Sequence, residues 1–465
     1  MIPAGHEPAF HLEFSATGDV RVSGHGALFT RECQYELDGE VVERELSGCF
    51  AGALADAVEL ALAVYTADRL CPRRPRRANR YDHYWQRRIS VRVPVRSVDF
   101  WSQPSLRELL TNLLAFMTED HWELEFVERA SLGRSVQGQL FDRRPSPPVT
   151  ACLFSGGLDS LAGLAQDLIE RPSDTFVLVS GYTNHRLAKV QHLLASALSD
   201  RFPDRVRLLQ VPFGIRRDSH TYDDEESTQR SRGFIHCLIG SAVAIVARAE
   251  TLLCYENGIG ALNLPLTDAQ LGAQNARSSH PIALETIGAL MRRVSGQDFE
   301  IRLPRLYQTK GEICRALVRP EFSDLIRHTV SCDGYPRRVR GFAQCGSCTS
   351  CVLRRQALKV AGLLELDPAS LYQHDLHDGQ RWKGEEVTFG MSAMLHQVRR
   401  MERALASTDP WRRLATAFPA LEETVCRLAH MGRNEEETRQ GMLRLYRQYC
   451  SDWDRFAQES FPFAA

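Results

Sequence analysis

Short apolar strands alternate with helical segments through the middle of the chain. The strand VTACLF begins at Val149, and a helix is predicted from about Leu158. The apolar segments TFVLVSGY, RVRLLQVPF and ETLLC predict three further strands between helices, and DFEIRLPRL predicts a fifth. Such alternation is typical of a parallel sheet covered by helices on both faces. We therefore predict an α/β fold for this part of the chain.

The two ends of the chain show other patterns. Residues 8 to about 48 are predicted to be β-rich, because AFHLEFSATGDVRVSG alternates apolar and polar positions around a glycine turn. An amphipathic helix is predicted over 51–69, and the Arg/Pro-rich segment 142–148 is the best linker candidate. The last hundred residues have a helical pattern. These boundaries predict an α/β N-terminal domain (1–145), a central domain (148–360) and a helical C-terminal region (361–465).

Composition narrows the class of protein. The 465 residues carry 57 basic and 58 acidic side chains, so no overall charge attracts nucleic acid or membrane. Neither a secretory signal in residues 1–14 nor an apolar run of about 18 residues is seen. The 13 cysteines are an odd number and mostly scattered, which favours reduced thiols or metal ligands over disulfides. We expect a cytoplasmic protein without a membrane partner.

The stretch CLFSGGLDS, residues 152–160, joins the first apolar strand to its helix. Backbone N–H groups at a helix N-terminus bind anions, and Gly156 and Gly157 leave room for a phosphate to approach them. Ser155 and Ser160 add hydroxyl donors. Asp159 could hold Mg²⁺ or cap the helix. The spacing is neither that of a Walker A loop nor that of a dinucleotide-binding loop, and we predict a phosphate site.

A cluster of cysteines follows near residue 340. Cys332, Cys345, Cys348 and Cys351 lie in the run SCDGYPRRVRGFAQCGSCTSC. Four thiolates with paired C-x-x-C spacings suit a closed tetrahedral Zn²⁺ site. A [4Fe–4S] cluster uses the same ligands. We favour structural zinc.

These motifs together resemble a known family. The SGGxDS loop is similar to the pyrophosphate loop of the ATP pyrophosphatase superfamily. With the cysteine run and TKGEI (309–313), residues 148–360 resemble the 7-cyano-7-deazaguanine synthases (QueC). The resemblance implies a Rossmann-like fold, structural zinc, and a carbon–nitrogen ligase reaction. In that reaction ATP and Mg²⁺ activate the carboxylate of 7-carboxy-7-deazaguanine as an acyl adenylate, which ammonia converts to an amide and then a nitrile.

The resemblance also implies site residues. The residues expected to bind the ATP phosphates are Ser155, Gly156, Gly157, Asp159, Ser160, Arg232 and Lys310. Among them Asp159, Ser160 and Lys310 are expected to be catalytic. Lys310 could instead be a solvated lysine at a helix start, and Arg232 a surface charge. Asn257 and Gly258 follow the fourth strand, at the edge where ligands bind in such sheets, and are expected to contact the substrate.

Several alternatives stay open. The synthases are about half as long as this chain, and longer relatives with additions at both ends occur among antiphage defence proteins. Such a protein could transfer the activated carboxylate to an amine of a partner protein. The segment 71–88, rich in arginine and aromatic residues, is either a solvated connector or a surface that binds RNA or an acidic partner. RNA binding would make the protein a tRNA-modifying enzyme of the thiolating or lysidine-forming kind. A non-catalytic nucleotide-binding scaffold is a third reading. The acidic run 223–226 is expected to be a solvated loop or a lid.

Overall fold

The computed structural model describes residues 9–24, 31–46, 48–73, 86–130, 149–216, 225–226, 228–267, 276–336, 339, 341–374 and 385–460. Its strands are β1 (Ala9–Phe14), β2 (Asp19–Gly24), β3 (Arg31–Leu37), β4 (Arg88–Val95), β5 (His121–Glu128), β6 (Val149–Leu153), β7 (Thr175–Tyr182), β8 (Val206–Arg216), β9 (Thr251–Cys254) and β10 (Glu300–Arg302). Its α-helices are α1 (Glu40–Leu46), α2 (Gly52–Leu70), α3 (Val98–Trp101), α4 (Pro104–Thr118), α5 (Leu158–Glu170), α6 (His185–Arg201), α7 (Arg232–Val246), α8 (Gly258–Leu262), α9 (Pro281–Ser295), α10 (Lys310–Cys314), α11 (Pro320–Ser323), α12 (Thr349–Val360), α13 (Glu385–Leu405), α14 (Pro410–Ala417), α15 (Ala420–His430) and α16 (Glu435–Ser460).

The described strands form one sheet in the order β10-β9-β6-β7-β8-β3-β2-β1-β4-β5. The five strands from β10 to β8 are parallel, as the alternation of strands and helices predicts. β3 then pairs antiparallel with β8, so the N-terminal strands continue the central sheet. The protein is therefore an α/β protein with a mixed, mostly parallel sheet, consistent with the Rossmann-like class.

Helices cover both faces of the central strands. Alternate side chains of a strand point to opposite faces. In β6, β7 and β9, Ala151, Val177 and Leu252 belong to one apolar core, whereas their neighbours Cys152, Leu178 and Leu253 belong to the other. The first core includes α7, α9 and the N-terminal region, and the second includes α5, α6 and α10. The carboxyl ends of the parallel strands are thus positioned by packing on both sides.

The N-terminal region shares the first of these cores. α2, the predicted helix over 51–69, is buried along most of its length and packs on α7. Residues 8 to about 48 were predicted to be β-rich. The last strand of this stretch, β3, ends at Leu37, and the helix α1 follows it. The predicted linker, 142–148, lies outside the described residues. The division at 145–148 stays a prediction, and the strands on its two sides belong to one sheet.

The C-terminal region is helical, as predicted. Its helices α13 to α16 enclose a third apolar core, which also takes in residues of α8 and α12. Among the described helices, none combines the length and apolar character needed to cross a membrane.

Buried charges lie where the sequence suggested a solvated or RNA-binding segment. Arg87 is fully buried, and its Nη2 lies 2.6 Å from Oδ1 of Asp68 and 2.6 Å from Oδ2 of Asp120. Arg73 Nη2 lies 2.5 Å from the same Asp120 oxygen. Both readings of the segment 71–88 are therefore wrong for Arg73 and Arg87, which are internal ion-pair partners. Residues 74–85 lie outside the described residues.

The acidic run 223–226 is likewise not wholly solvated. Glu226 is buried, and its Oε2 accepts a hydrogen bond of 2.8 Å from the backbone N–H of Arg73. Glu225 forms an ion pair with Arg69 of α2. These contacts correct the expectation of a solvated loop for the last two acidic residues, since both carboxylates join the buried charge network. Asp223 and Asp224 lie outside the described residues.

Candidate functional site

The predicted phosphate loop lies between β6 and α5, at the carboxyl edge of the parallel strands. Gly156 has a φ of +77°, a conformation that strains residues with a side chain. A Cβ at this position would lie 3.2 Å from Cγ1 of Val190 and 3.3 Å from Cγ of Gln191, so α6 also leaves little room there. Gly157 is the N-cap of α5, whose first N–H groups have no partner within the helix. The backbone therefore has the form that an anion site requires.

Two serine hydroxyls lie at this turn. Ser155 Oγ and Ser160 Oγ are 2.7 Å apart, and Ser160 Oγ accepts a hydrogen bond of 3.2 Å from the Ser155 N–H. Ser155 Oγ also accepts from the Gly157 N–H at 3.2 Å. Ser155 is exposed, whereas Ser160 is buried. The hydroxyl and backbone donors that the sequence predicts to meet phosphate thus lie within reach of one another.

Three predicted site residues from separate elements meet behind the loop. Asp159, on the first turn of α5, has its Oδ2 2.7 Å from Nζ of Lys310. Its other oxygen, Oδ1, accepts a hydrogen bond of 3.0 Å from Nδ2 of Asn257. The side chain of Lys310 is 5% exposed and that of Asp159 is 16% exposed. The reading of Lys310 as a solvated lysine is therefore wrong.

Lys310 is held at this position by the start of α10. Thr309 Oγ1 accepts a hydrogen bond from the N–H of Glu312 at 3.2 Å, and Glu312 Oε2 accepts from the N–H of Thr309 at 2.9 Å. This capping box fixes the first turn of the helix. Burial opposes the charge of Lys310, but the carboxylates of Asp159 and Glu256 outweigh it and raise the pKa of the amine. Lys310 is a buried cation in the folded protein.

Glu256 belongs to the same group of charges and was missed by sequence reasoning. Its Oε1 accepts a hydrogen bond of 3.0 Å from Nδ2 of Asn257, so one amide nitrogen lies between the carboxylates of Asp159 and Glu256. Burial and the charge of Asp159 raise the pKa of Glu256 to about 8, although Lys310 opposes the shift. The signal in the sequence was its position at the carboxyl end of β9, where ligands bind in open α/β sheets.

Asn257 and Gly258 have structural roles next to these charges. Asn257 Oδ1 accepts hydrogen bonds of 3.1 Å from the N–H groups of Ile259 and Gly260, which makes it the N-cap of α8. A Cβ at Gly258 would lie 2.0 Å from the carbonyl oxygen of Leu306, so only glycine fits there. Asn257 thus orients Asp159. Contact of either residue with substrate stays a prediction.

Arg232 is the first residue of α7, which follows β8. Its Nε lies 3.4 Å from Nε2 of His236, and burial and the nearby Arg232 charge lower the pKa of His236 to about 3. His236 is therefore a neutral acceptor at physiological pH. Because β8 runs parallel to β6, the connections that follow the two strands leave the same edge of the sheet. A role for Arg232 toward phosphate stays a prediction.

The four predicted cysteines come together in space. Their Sγ atoms lie within 4.8 Å of one another, and those of Cys345 and Cys351 are 3.8 Å apart. Tetrahedral Zn–S bonds of about 2.3 Å place thiolates roughly 3.8 Å apart, so the spacing fits a single zinc ion. The core of a [4Fe–4S] cluster occupies the space between its thiolates and holds them further apart. The geometry therefore favours zinc.

Backbone contacts link the cysteine site to the phosphate loop. The N–H of Cys345 donates to Cys332 Sγ, and the N–H of Cys348 donates to Cys345 Sγ, both at 3.3 Å. Such bonds stabilise thiolate ligands. Two residues before Cys332, the N–H of Val330 donates to the carbonyl oxygen of Gly156 at 3.1 Å. A metal at the cysteines would thus stabilise the segment that packs against the loop.

Comparison with known proteins agrees with the central motifs. No family model matches the chain. A 7-cyano-7-deazaguanine synthase of Desulfitobacterium hafniense is 29% identical over 185 residues. The match covers 38% of this chain and 66% of that enzyme, slightly less than two thirds of its length. This limited similarity supports a relationship between the chain and the 7-cyano-7-deazaguanine synthases.

Proposed function

We propose that the protein uses ATP to activate a carboxylate, that of a deazaguanine of the 7-carboxy-7-deazaguanine type. The observation that carries the proposal is the Asp159–Lys310 pair, 2.7 Å apart, directly behind a glycine turn at a helix N-terminus. A buried cation and a carboxylate beside an anion site suit phosphate chemistry. The similarity to the synthase supports the choice of substrate class.

The loop would bind the terminal phosphates of ATP. The N–H groups at the start of α5 have no helical partners and the helix dipole favours negative charge there. The hydroxyls of Ser155 and Ser160, 2.7 Å apart, would turn to donate to phosphate oxygens. Gly156 and Gly157 allow this approach because neither has a side chain. The resemblance to pyrophosphate loops points to the β- and γ-phosphates.

The carboxylates of Asp159 and Glu256 suit a Mg²⁺ ion. They lie on the two sides of one amide nitrogen, 3.0 Å from each, and Lys310 is the cation that faces both. Burial and the charge of Asp159 raise the pKa of Glu256 to about 8, and a divalent cation bound beside it would favour the ionised carboxylate. Mg²⁺ bound there would neutralise phosphate charge. The four cysteines would hold Zn²⁺ in a structural role.

The amide would form by two displacements. A carboxylate oxygen of the substrate attacks the α-phosphorus of ATP, the bond to the bridging oxygen breaks, and pyrophosphate leaves with the electron pair. Lys310 stabilises the negative charge that develops on the phosphates. An amine nitrogen then attacks the acyl carbon, AMP leaves, and an amide forms with loss of a proton. For the nitrile, the amide oxygen would attack the α-phosphorus of a second ATP, pyrophosphate would leave, and the oxygen would then depart as part of AMP while the nitrogen loses its two protons.

The acceptor amine is either ammonia or an amine of a partner protein. Ammonia corresponds to the synthase reaction and leads on to the nitrile. A protein amine corresponds to the long antiphage proteins that the two-ended chain resembles, and the reaction would stop at the amide. The thiolating alternative is disfavoured, because Cys152 beside the loop is fully buried and burial raises the pKa of its thiol. A lysidine-type reaction would instead attach AMP to a carbonyl oxygen of an RNA base, and an amine would then attack the ring carbon and displace AMP.

The test is mass spectrometry of purified protein incubated with Mg-ATP and 7-carboxy-7-deazaguanine, with and without ammonia. We expect AMP and pyrophosphate together with an acyl adenylate, an amide or a nitrile. AMP and pyrophosphate formed with tRNA or a protein partner alone would overturn the substrate and keep the loop chemistry. No pyrophosphate with any of these would favour the non-catalytic scaffold.

A further inference from the structure

The C-terminal helix α16 packs against both elements that hold the partners of Asp159. At the first, a Cβ on Gly258, next to Asn257, would lie 2.5 Å from Cδ2 of Leu445. At the second, Asp452 contacts Thr309, next to Lys310. Leu445 and Asp452 are seven residues apart, so they lie on one face of the helix. This face of α16 therefore backs the charged centre of the site.

Asp452 orients the capping hydroxyl of α10. Its side chain is fully buried, and its Oδ2 accepts a hydrogen bond of 2.6 Å from Oγ1 of Thr309. Its Oδ1 accepts a bond of 2.8 Å from Nε2 of Gln448. Since the single hydroxyl proton of Thr309 goes to Asp452, the lone pairs are left to accept from the N–H of Glu312. Asp452 thus fixes the first half of the capping box.

Arg444 holds the other half. Its Nη1 lies 3.1 Å from Oε2 of Glu312, the residue that caps the N–H of Thr309, and its guanidinium also donates to the carbonyl oxygen of Tyr307. The helix that the box begins has only five residues, and so short a helix has little stability of its own. The position of its first residue, Lys310, therefore depends on contacts from outside the helix.

We propose that Asp452 and Arg444 are positioning residues that set Lys310 against Asp159, and that the C-terminal helical region is a working part of the ATP site. The expected effect on catalysis rests on the proposed ATP chemistry. Whether α16 positions Lys310 can be measured without any turnover of substrate. The C-terminal region would then do more than recognise a partner, since the site is incomplete without it.

The experiment compares Asp452→Ala, Asp452→Asn and the control Asp454→Ala in the full chain. Asn retains an acceptor for Thr309, and Asp454 is exposed on the same helix. The first readout is the rate at which an acetylating reagent modifies each of the four lysines of the chain, measured by peptide mass spectrometry. Exposed Lys189 on α6 is the reference. Lys359, whose amine lies 5.7 Å from the ring of Phe456 on α16, reports general loosening of that helix.

We expect Asp452→Ala to raise the labelling rate of Lys310 several-fold, with Lys189 and Lys359 unchanged. Pyrophosphate release should fall roughly 10- to 100-fold, because small displacements of a catalytic group have effects of that size. Asp452→Asn should keep the labelling rate of Lys310 and the rate of pyrophosphate release close to the wild-type values. Asp454→Ala should match the wild type in both. Thr309→Val removes the same hydrogen bond and replaces Asp452→Ala if that variant does not fold.

Two results would overturn the proposal. One is equal labelling of Lys310 in the wild type and the Ala variant. The other is a parallel rise at Lys310 and Lys359, which would mean that α16 loosens as a whole. An inactive wild type would count against the proposed function alone, because the labelling rates still decide whether α16 positions Lys310.

Discussion

Two groups of buried charges in this protein differ in how completely they are paired. In the N-terminal network, Arg87 lies 2.6 Å from both Asp68 and Asp120, and Arg73 lies 2.5 Å from Asp120 and 4.0 Å from Asp68. Burial opposes the charge of Asp68, but Arg87 outweighs it and lowers the pKa of the carboxyl. Behind the phosphate loop, Asp159 and Glu256 face Lys310, and the pKa of Glu256 is raised to about 8.

The difference lies in how far the positive partners compensate for the burial of each carboxylate. A buried carboxylate whose pKa is lowered has found its full complement of partners in the folded chain. The pKa of Glu256 is raised because burial and the charge of Asp159 outweigh Lys310, so additional positive charge beside it would favour its ionised form. The network around Arg87 is therefore paired within the fold, whereas the group around Lys310 is the one to which the proposed function assigns a cation and a phosphate.

The largest expected effect on stability is in the N-terminal network. Arg87→Met would leave Asp68 and Asp120 buried with reduced compensation, and removal of one partner from a buried ion pair costs about 3–5 kcal/mol. We expect the free energy of unfolding, measured by urea titration, to fall by that amount. Arg92→Met, on the strand β4 that begins directly after Arg87, is the matched control, because the side chain of Arg92 is 49% exposed. Equal effects of the two changes would contradict a structural role.

The second effect is on activity at the loop. Lys310→Met removes the cation that faces Asp159 and Glu256, and loss of such a group lowers kcat about 100- to 1000-fold. The measurement is the rate of pyrophosphate release, with circular dichroism to confirm the fold. Lys189→Met, an exposed lysine on α6, is the control and should keep the wild-type rate. A rate of pyrophosphate release in Lys310→Met within a few-fold of the wild-type rate would contradict the role assigned to Lys310.

The smallest effect is the contribution of Glu256 to the pH dependence of the free energy of unfolding. Its pKa is about 8 in the folded protein against an ordinary value of 4.5, so the folded state binds a proton that the unfolded state releases. Stability therefore falls as pH rises between these values. From pH 6 to 8 we expect the wild type to lose about 2 kcal/mol relative to Glu256→Gln. Urea titrations with and without Mg²⁺ provide the measurement, and identical pH curves for the two proteins would contradict the raised pKa.

The parts of the site predicted from sequence are those encoded in short contiguous motifs. The phosphate loop and the cysteines are each defined by neighbours in the chain, and the order of strands and helices in the central region follows from periodicity. Lys310 was predicted through a resemblance, and the structure places it against Asp159. ATP, Mg²⁺ and zinc as ligands stay predictions.

The parts that were missed depend on contacts between distant residues. Glu256 acquires its raised pKa from burial and from the charge of Asp159, which lies almost a hundred residues earlier in the chain. Arg73 and Arg87 were read as surface residues because the acids that pair with them, Asp68 and Asp120, lie outside the arginine run. The alternation of apolar and polar residues in β3 and β8 does not indicate that these two strands pair.

That pairing also has a consequence for how the chain must be made. It joins Gln34 to Arg216, so β3 leaves the ribosome long before its partner strand exists. Contacts between residues so far apart in sequence form slowly, and an unpaired strand edge invites association with other chains. A polypeptide cut near residue 148 would carry one such edge on each fragment. The N-terminal and central regions therefore need to be synthesised, and to complete their folding, as one polypeptide.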